Sequence, residues 1–242
     1  MRKHTFLIVD TETTMDDMVA DFGAVIIDRL GNVLASCAVL VRGIFDKPRK
    51  HTLFWNDSTE ALWAKANLTA RYDNYHAMLA DGRRRMATVK AINTWLEKAS
   101  VTFNPILTAY NLAFDLGKCD NTGIDLSGFD RQFCMMKAAQ NQWAHNRKYL
   151  DYVLQNHAFN KPTQYRNMTY QTKAEIMAAF VQGHPVIAEP HTGFEDALYF
   201  EAPILTALLK KRSAKWLLSN PKGTTWRDVQ VKDHFQPKRG RR

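Results

Sequence analysis

Three apolar runs crowd the start of the chain: TFLIVD (5–10), FGAVIID (22–28) and VLASCAVLV (33–41). Each is short, rich in branched side chains and bounded by polar or turn residues, the pattern of a buried strand. Gly31-Asn32, between the second and third runs, is a hairpin signal. A chain that begins this way is committed to an antiparallel meander. Beyond it, Met86, Val89, Ile92, Trp95, Leu96 and Ala99 recur at helical spacing and predict an amphipathic helix over 84–99. PILTAY (105–110) reads as a strand, NLAFDLGKC as the start of a helix, and FDRQFCMM (129–136) as a strand passing into a helix. Residues 148–158, 172–182 and 194–211 read as helices, the last with Pro203 inside it. Proline removes a backbone donor, so a kink or a junction of two helices is expected there. Ser58-Thr59 offers an N-cap ahead of EALWAKANL, and 42–57 reads as loop. Strands first, then strands interleaved with helices, predict an α/β domain with a mixed sheet flanked by helices.

The first strand runs into two acids. Asp10 and Glu12 follow directly on the apolar FLIV. A buried ionised carboxylate is costly unless a partner compensates its charge. The candidate partners are a Lys or Arg, a helix N-terminus, or a metal.

The charge distribution bears on what the protein meets. The 33 Lys and Arg against 24 Asp and Glu give a net charge of +9. All of that surplus falls after residue 209, where 11 basic residues face 2 acidic ones, and the last six residues read PKRGRR. A neutral body with a basic end suggests contact with a polyanion, against the plainer reading of a solvated tail. The division expected is a catalytic domain over 1–211 and a basic, poorly structured extension over 212–242. There is no run of about 18 apolar residues, so no membrane span is expected. The apolar stretch at the N-terminus stops at Asp10, too short for a signal peptide, which predicts a cytoplasmic protein. Cys37, Cys119 and Cys134 have no metal-ligand spacing and are odd in number, so they read as reduced thiols.

Further acids occur at suggestive places. Asp115 lies in NLAFD, just after the strand 105–110, and Asp196 lies in HTGFED, five residues after His191. Each piece alone has an ordinary reading. A D-x-E at a strand end can cap a turn, Asp115 can favour a helix N-terminus, and a single His is most often a loop residue. Together and in this order they resemble the DEDDh family of 3′→5′ exonucleases, which includes proofreading polymerase subunits, ribonuclease T and oligoribonuclease. IVDTETT matches the first motif, NLAFD the second and HTGFED the third.

The resemblance covers roughly residues 5–210 and implies a ribonuclease-H-like fold. It implies metal ligands Asp10, Glu12, Asp115 and Asp196, a general base His191, and substrate contacts at Thr11, Thr13, Met15, Asn111 and Phe114. It also implies two divalent ions, Mg²⁺ or Mn²⁺, and single-stranded nucleic-acid 3′ ends as partner. The expected activity is release of nucleoside 5′-monophosphates. A homodimer or a polymerase partner stays open. The chemistry agrees: phosphodiester hydrolysis at neutral pH needs an activated nucleophile and a stabilised leaving oxygen, which two cations about 4 Å apart can supply, and hard cations take oxygen ligands. Metal ions are thus the expected partners of Asp10 and Glu12.

Several features depart from the family or stand outside it. Met15 replaces the Gly common after DTETT, Pro203 is unusual, and 42–85 matches nothing known. Met15, Met18, Trp55 and Trp63 are candidates for base contact, while Phe22 reads as core. Arg83-Arg84-Arg85 reads as a phosphate contact or a solvated loop, and Glu195 as solvent-facing. The rival functions are an inactive nuclease fold that only binds nucleic acid, and an endonuclease on the same fold. An intact set of phosphate-repelling carboxylates argues against the first, and circular single-stranded DNA discriminates the second.

Overall fold

The computed structural model describes residues 4–14, 16–47, 62–162 (backbone only through 70), 167–225 and 227–231. Strands β1 (Phe6–Thr13), β2 (Val19–Ile27) and β3 (Val33–Val41) form the expected meander. The turn at Gly31 is set by Asp28, whose carboxylate accepts from the N–H groups of Leu30 (2.7 Å) and Asn32 (3.0 Å). Helix α1 (Leu62–Ala80) leads to β4 (Arg85–Ala87), α2 (Val89–Phe103), β5 (Ile106–Ala109) and α3 (Leu112–Thr122). Then come β6 (Gln132–Cys134), α4 (Met135–Trp143), α5 (Arg147–Gln155), the small pair β7 (Phe159–Asn160) and β8 (Thr169–Tyr170), and α6 (Ala174–Gln182). The described chain ends with α7 (Gly193–Asp196), a π-helical segment (Ala197–Glu201), α8 (Ala202–Lys211) and α9 (Ala214–Leu218).

The main sheet has the order β4-β3-β2-β1-β5-β6. Strands β1, β2 and β3 pair antiparallel, while β4 runs parallel to β3, β5 parallel to β1 and β6 parallel to β5. This mixed sheet flanked by helices is the α/β architecture expected. Strand alternation feeds two cores. Phe6 and Ile8 of β1 pack with Met135, Met177, Ile204 and Leu208 on one face. Leu7 and Val9 pack with Phe22, Ile92, Leu96 and Leu112 on the other. Phe22 is fully buried, as its core reading requires. At about 1.5–3 kcal/mol per large apolar side chain, these two layers dominate the stability and make the sheet a rigid platform.

Some expected elements shift. The helix expected over 84–99 is α2, and its start is later: Thr88 Oγ1 accepts from the Ala91 N–H (3.2 Å) as N-cap, and 85–87 pair with β3 instead. The break expected at Pro203 takes the form of the π turn. The Ala202 N–H reaches back five residues to the Ala197 carbonyl. A tighter turn would drive the Pro203 ring into the carbonyl four residues earlier. The stretch after 211 is less unstructured than expected. Ala214, Leu217, Val229 and Val231 are buried in the first core. Tyr170 N–H donates to the Val229 carbonyl (2.9 Å) and Val231 N–H to the Met168 carbonyl (3.1 Å). The Ser58-Thr59 cap, Trp55, the Trp63 side chain and the basic end from 232 lie outside the described residues. None of the three cysteines forms a disulfide. No helix among the described residues is long and apolar enough to cross a membrane.

Candidate active site

Parallel strands β1 and β5 end on the same edge of the sheet, where ligands of open α/β sheets bind. The alternation that buries Phe6 and Ile8 carries Asp10 and Glu12 out along the same face of β1 at this end. Thr11 points to the opposite face, where its hydroxyl donates to Asp115 Oδ1 (2.9 Å). Asp115 is buried in the first turn of α3, directly after β5. The chain enters α3 through Asn111 at φ +80°, a left-handed conformation that Asn tolerates better than most residues.

The third motif is set against the sheet by two glycines. Gly23 of β2 is paired with Asp10. A Cβ on Gly23 would overlap the Gly193 carbonyl carbon, and one on Gly193 would lie 2.7 Å from the Asp10 carbonyl oxygen. Bare backbone on both sides lets α7 rest directly on β1 and β2. Asp21 of β2 then accepts from the Gly193 N–H (3.0 Å) and from the Tyr75 hydroxyl (2.9 Å). Arg84, 1% exposed, bridges Asp21 Oδ1 (Nε, 3.2 Å) and Glu195 Oε1 (Nη1, 3.1 Å), with a further short contact to Glu195 Oε2. Burial alone would lower its pKa, but Asp21 and Glu195 outweigh it and hold Arg84 charged. This corrects two expectations: Arg84 is neither a phosphate contact nor solvated, and Glu195 is an ion-pair partner. Arg83 stays at the surface, paired with Asp81 (2.7 Å).

So held, α7 brings Asp196 to the strand acids. One donor atom each from Glu12, His191 and Asp196 lie within 4.8 Å of one another. His191 Nδ1 is 4.0 Å from Glu12 Oε1. The imidazole is half exposed and its backbone sits at φ +54°, an unusual conformation for a residue with a side chain. Burial and then the charge of Arg71 hold its pKa below the ordinary value, which favours the neutral ring.

The acids form a field that repels its own members. Burial pushes Asp10 well above the usual carboxylate range, and Glu201 pushes it further than any other charge, followed by Asp115, Glu12 and Asp196. Burial raises Glu12 too, with Asp196 adding to it and Arg71 opposing. Asp115 is pushed up to about 7 by burial, and Asp196 to about 8 by burial and Glu189. No salt bridge to Asp10, Asp115, Asp196 or Glu201 forms among the described residues, and Asp196 Oδ1 and Glu201 Oε2 are buried without a hydrogen-bond partner. Clustered carboxylate oxygens with orphaned lone pairs fit a divalent cation.

The remaining candidates are spread around this centre. Thr11 was expected against substrate, but it is buried and its hydroxyl is committed to Asp115. Thr13 is half-buried beside the register shift that ends β1. Asn111 is exposed. Phe114 is 44% exposed, with the Lys118 ammonium 4.8 Å from its ring centroid. Met15 lies outside the described residues. A cavity of about 490 Å³ beside the acids is lined by Tyr110, Gln171, Lys173, Glu189 and His191. Sequence reasoning missed Asp21, Arg84, Gly23 and Glu201. Gly23 alone gave a local signal, since glycine inside a strand often marks a close backbone approach.

Among solved structures, the chain is similar to exonuclease I in complex with the inhibitor BCBP, at 12% identity and a TM-score of 0.49. The match covers 90% of this chain and 43% of that one, so the chain spans less than half the length of that protein. No family model matches the sequence. No curated protein matches it.

Proposed function

We propose that the protein is a metal-dependent 3′→5′ exonuclease that releases nucleoside 5′-monophosphates from single-stranded DNA or RNA ends. The observation that carries this reading is the convergence of Glu12, His191 and Asp196 within 4.8 Å, next to the desolvated Asp10 and Asp115. Two divalent cations, when bound, supply an activated nucleophile at neutral pH and stabilise the leaving oxygen. The chain does the rest. Asp10, Glu12, Asp115 and Asp196 hold the cations. Thr11 orients Asp115 through its hydrogen bond. His191, neutral and partly open to solvent, takes the nucleophile's proton at an imidazole nitrogen. The cavity beside His191, lined by both apolar and polar side chains, gives a nucleotide room next to the acids.

The test is incubation of 5′-labelled DNA and RNA oligonucleotides with Mg²⁺, with and without chelator. A ladder that shortens from the 3′ end and vanishes with chelator is expected. Cutting of circular single-stranded DNA would point to an endonuclease, and binding without any cutting to an inactive nuclease fold.

Replacing His191 by Ala is expected to lower the rate by about 10²–10⁴, the usual scale for a general base, with Mn²⁺ affinity largely kept. If His184→Ala were the damaging change instead, the third motif would be misassigned.

The basic end is expected to supply affinity and no chemistry. Because Val229 and Val231 are core residues, the informative truncation starts at 232. It removes Lys232, Lys238, Arg239, Arg241 and Arg242. If about three of these cations neutralise phosphates, the log–log salt slope for single-stranded binding flattens by about 2, at roughly 0.7 per neutralised phosphate. KM rises at physiological salt while kcat holds, since binding removed equally from ground and transition states appears in KM. Parallel slopes for full-length and truncated protein would make the end a solvated tail.

A further inference from the structure

Glu201 belongs to none of the three motifs, yet the fold delivers it to their acids. It closes the π-helical segment ahead of Pro203 and is 2% exposed. The wide π turn alters the phase of the helix after Asp196, so a residue five positions on still reaches the sheet. Its Oε1 accepts from the Tyr110 N–H (3.0 Å), at the end of β5 where the chain turns into α3. Its Oε2 is buried and has no donor. The π segment lies against β1, the strand of Asp10, and Tyr110 stands five residues before Asp115, so carboxylates from β1, α3 and the π segment gather at one end of the sheet with no salt bridge to them among the described residues. A carboxylate with one oxygen tied down and the other left bare amid two more carboxylates is suited to a cation.

We propose that Glu201 is a fifth carboxylate of the metal centre, with its bare Oε2 as the atom that would hold a divalent cation. This rests on the metal-dependent reading above and extends it: Glu201 would join Asp10, Glu12, Asp115 and Asp196 in holding the cations. The π turn is what admits the fifth ligand, and Tyr110 orients it.

The experiment is calorimetric titration of the metal-free full-length protein with Mn²⁺, without substrate, for wild type, Glu201→Gln and Glu201→Asp. Gln keeps an oxygen for the Tyr110 N–H and removes only the charge. Asp keeps the charge and withdraws it by one methylene. Wild type is expected to bind two Mn²⁺. In Glu201→Gln one of the two weakens by on the order of 10-fold or more, the scale on which missing metal partners are felt, and Glu201→Asp weakens the same site by a smaller factor. The metal-free Gln variant stays folded, and its melting point rises less with added Mn²⁺ than that of the wild type. Isotherms identical to wild type in both variants overturn the role of Glu201 and leave the exonuclease reading intact. A wild type that binds no Mn²⁺ overturns both.

Discussion

Asp196→Ala is expected to abolish cleavage and leave a folded protein, as is Asp10→Ala. Each removes a carboxylate that converges on the proposed cations, and Asp196→Ala gives up only one hydrogen bond besides, from the Thr192 N–H (3.0 Å). Their effect on stability is the unusual part. Burial raises Asp196 to about 8, while an unfolded-chain Asp titrates near about 3.9. Between those values the folded state holds a proton that the unfolded state has released. Stability therefore falls as pH rises through this window. The metal-free wild type is expected to melt lower at pH 8 than at pH 5.5, with Mg²⁺ or Mn²⁺ restoring the loss by binding only the folded state. Asp196→Ala, with one acid fewer, shows a shallower pH dependence and a smaller response to metal. Melting curves at the two pH values, with and without metal, read all of this. Near wild-type turnover by either variant removes the two-metal assignment. A metal-free protein that is more stable at pH 8 would show that the acids have partners of their own.

Arg84→Ala is expected to destabilise the fold by about 3–5 kcal/mol, the cost of leaving a buried charge uncompensated. For a chain of this size that lowers the melting temperature by roughly 6–20 °C. Asp21 is fully buried and cannot move to solvent, whereas Glu195 is at its edge, with 16% of its side chain exposed. The double variant Arg84→Met with Asp21→Asn is therefore expected to recover much of the loss. It removes both charges and keeps the side chain of residue 21 in place to accept from Tyr75. Equilibrium unfolding in urea of the single and double variants measures the coupling. A loss below about 1 kcal/mol in Arg84→Ala would mean that the pair behaves like an exposed one.

How much of this was legible follows from how local each signal is. The strands β1 to β3 announce themselves by apolar runs, and α2 by its spacing, because burial against a sheet leaves a period in the sequence. The acids of the three motifs were legible only as a set, through resemblance. Arg84 was not: its partners Asp21 and Glu195 lie 63 and 111 residues away, and a run of three arginines looks like surface. Glu201 was hidden by its neighbours, since an acid in ALYFEAPIL reads as the polar face of a helix. Only a π turn brings it inward, and no periodicity encodes that turn. Val229 and Val231 sit in a charged, turn-rich stretch whose composition masks two core residues. Arg85 to Ala87 form too short a strand to show alternation.

Ordinary packing has give in it, because each side chain between two backbones can rock within its rotamer well. The seam where Gly193 meets Gly23 and Asp10 has no such cushion. The offset between the strand that carries Asp10 and Glu12 and the turn that carries Asp196 is fixed by peptide planes and bond lengths. Only one turn of helical backbone and the two χ angles of Asp196 lie between that seam and its carboxylate oxygens. Metal–oxygen bonds tolerate a few tenths of an ångström, about 0.2 Å either way. A hard stop of this kind makes sheet and turn travel as one body in thermal motion, so the span from Glu12 to Asp196 can stay constant while the helices around it breathe.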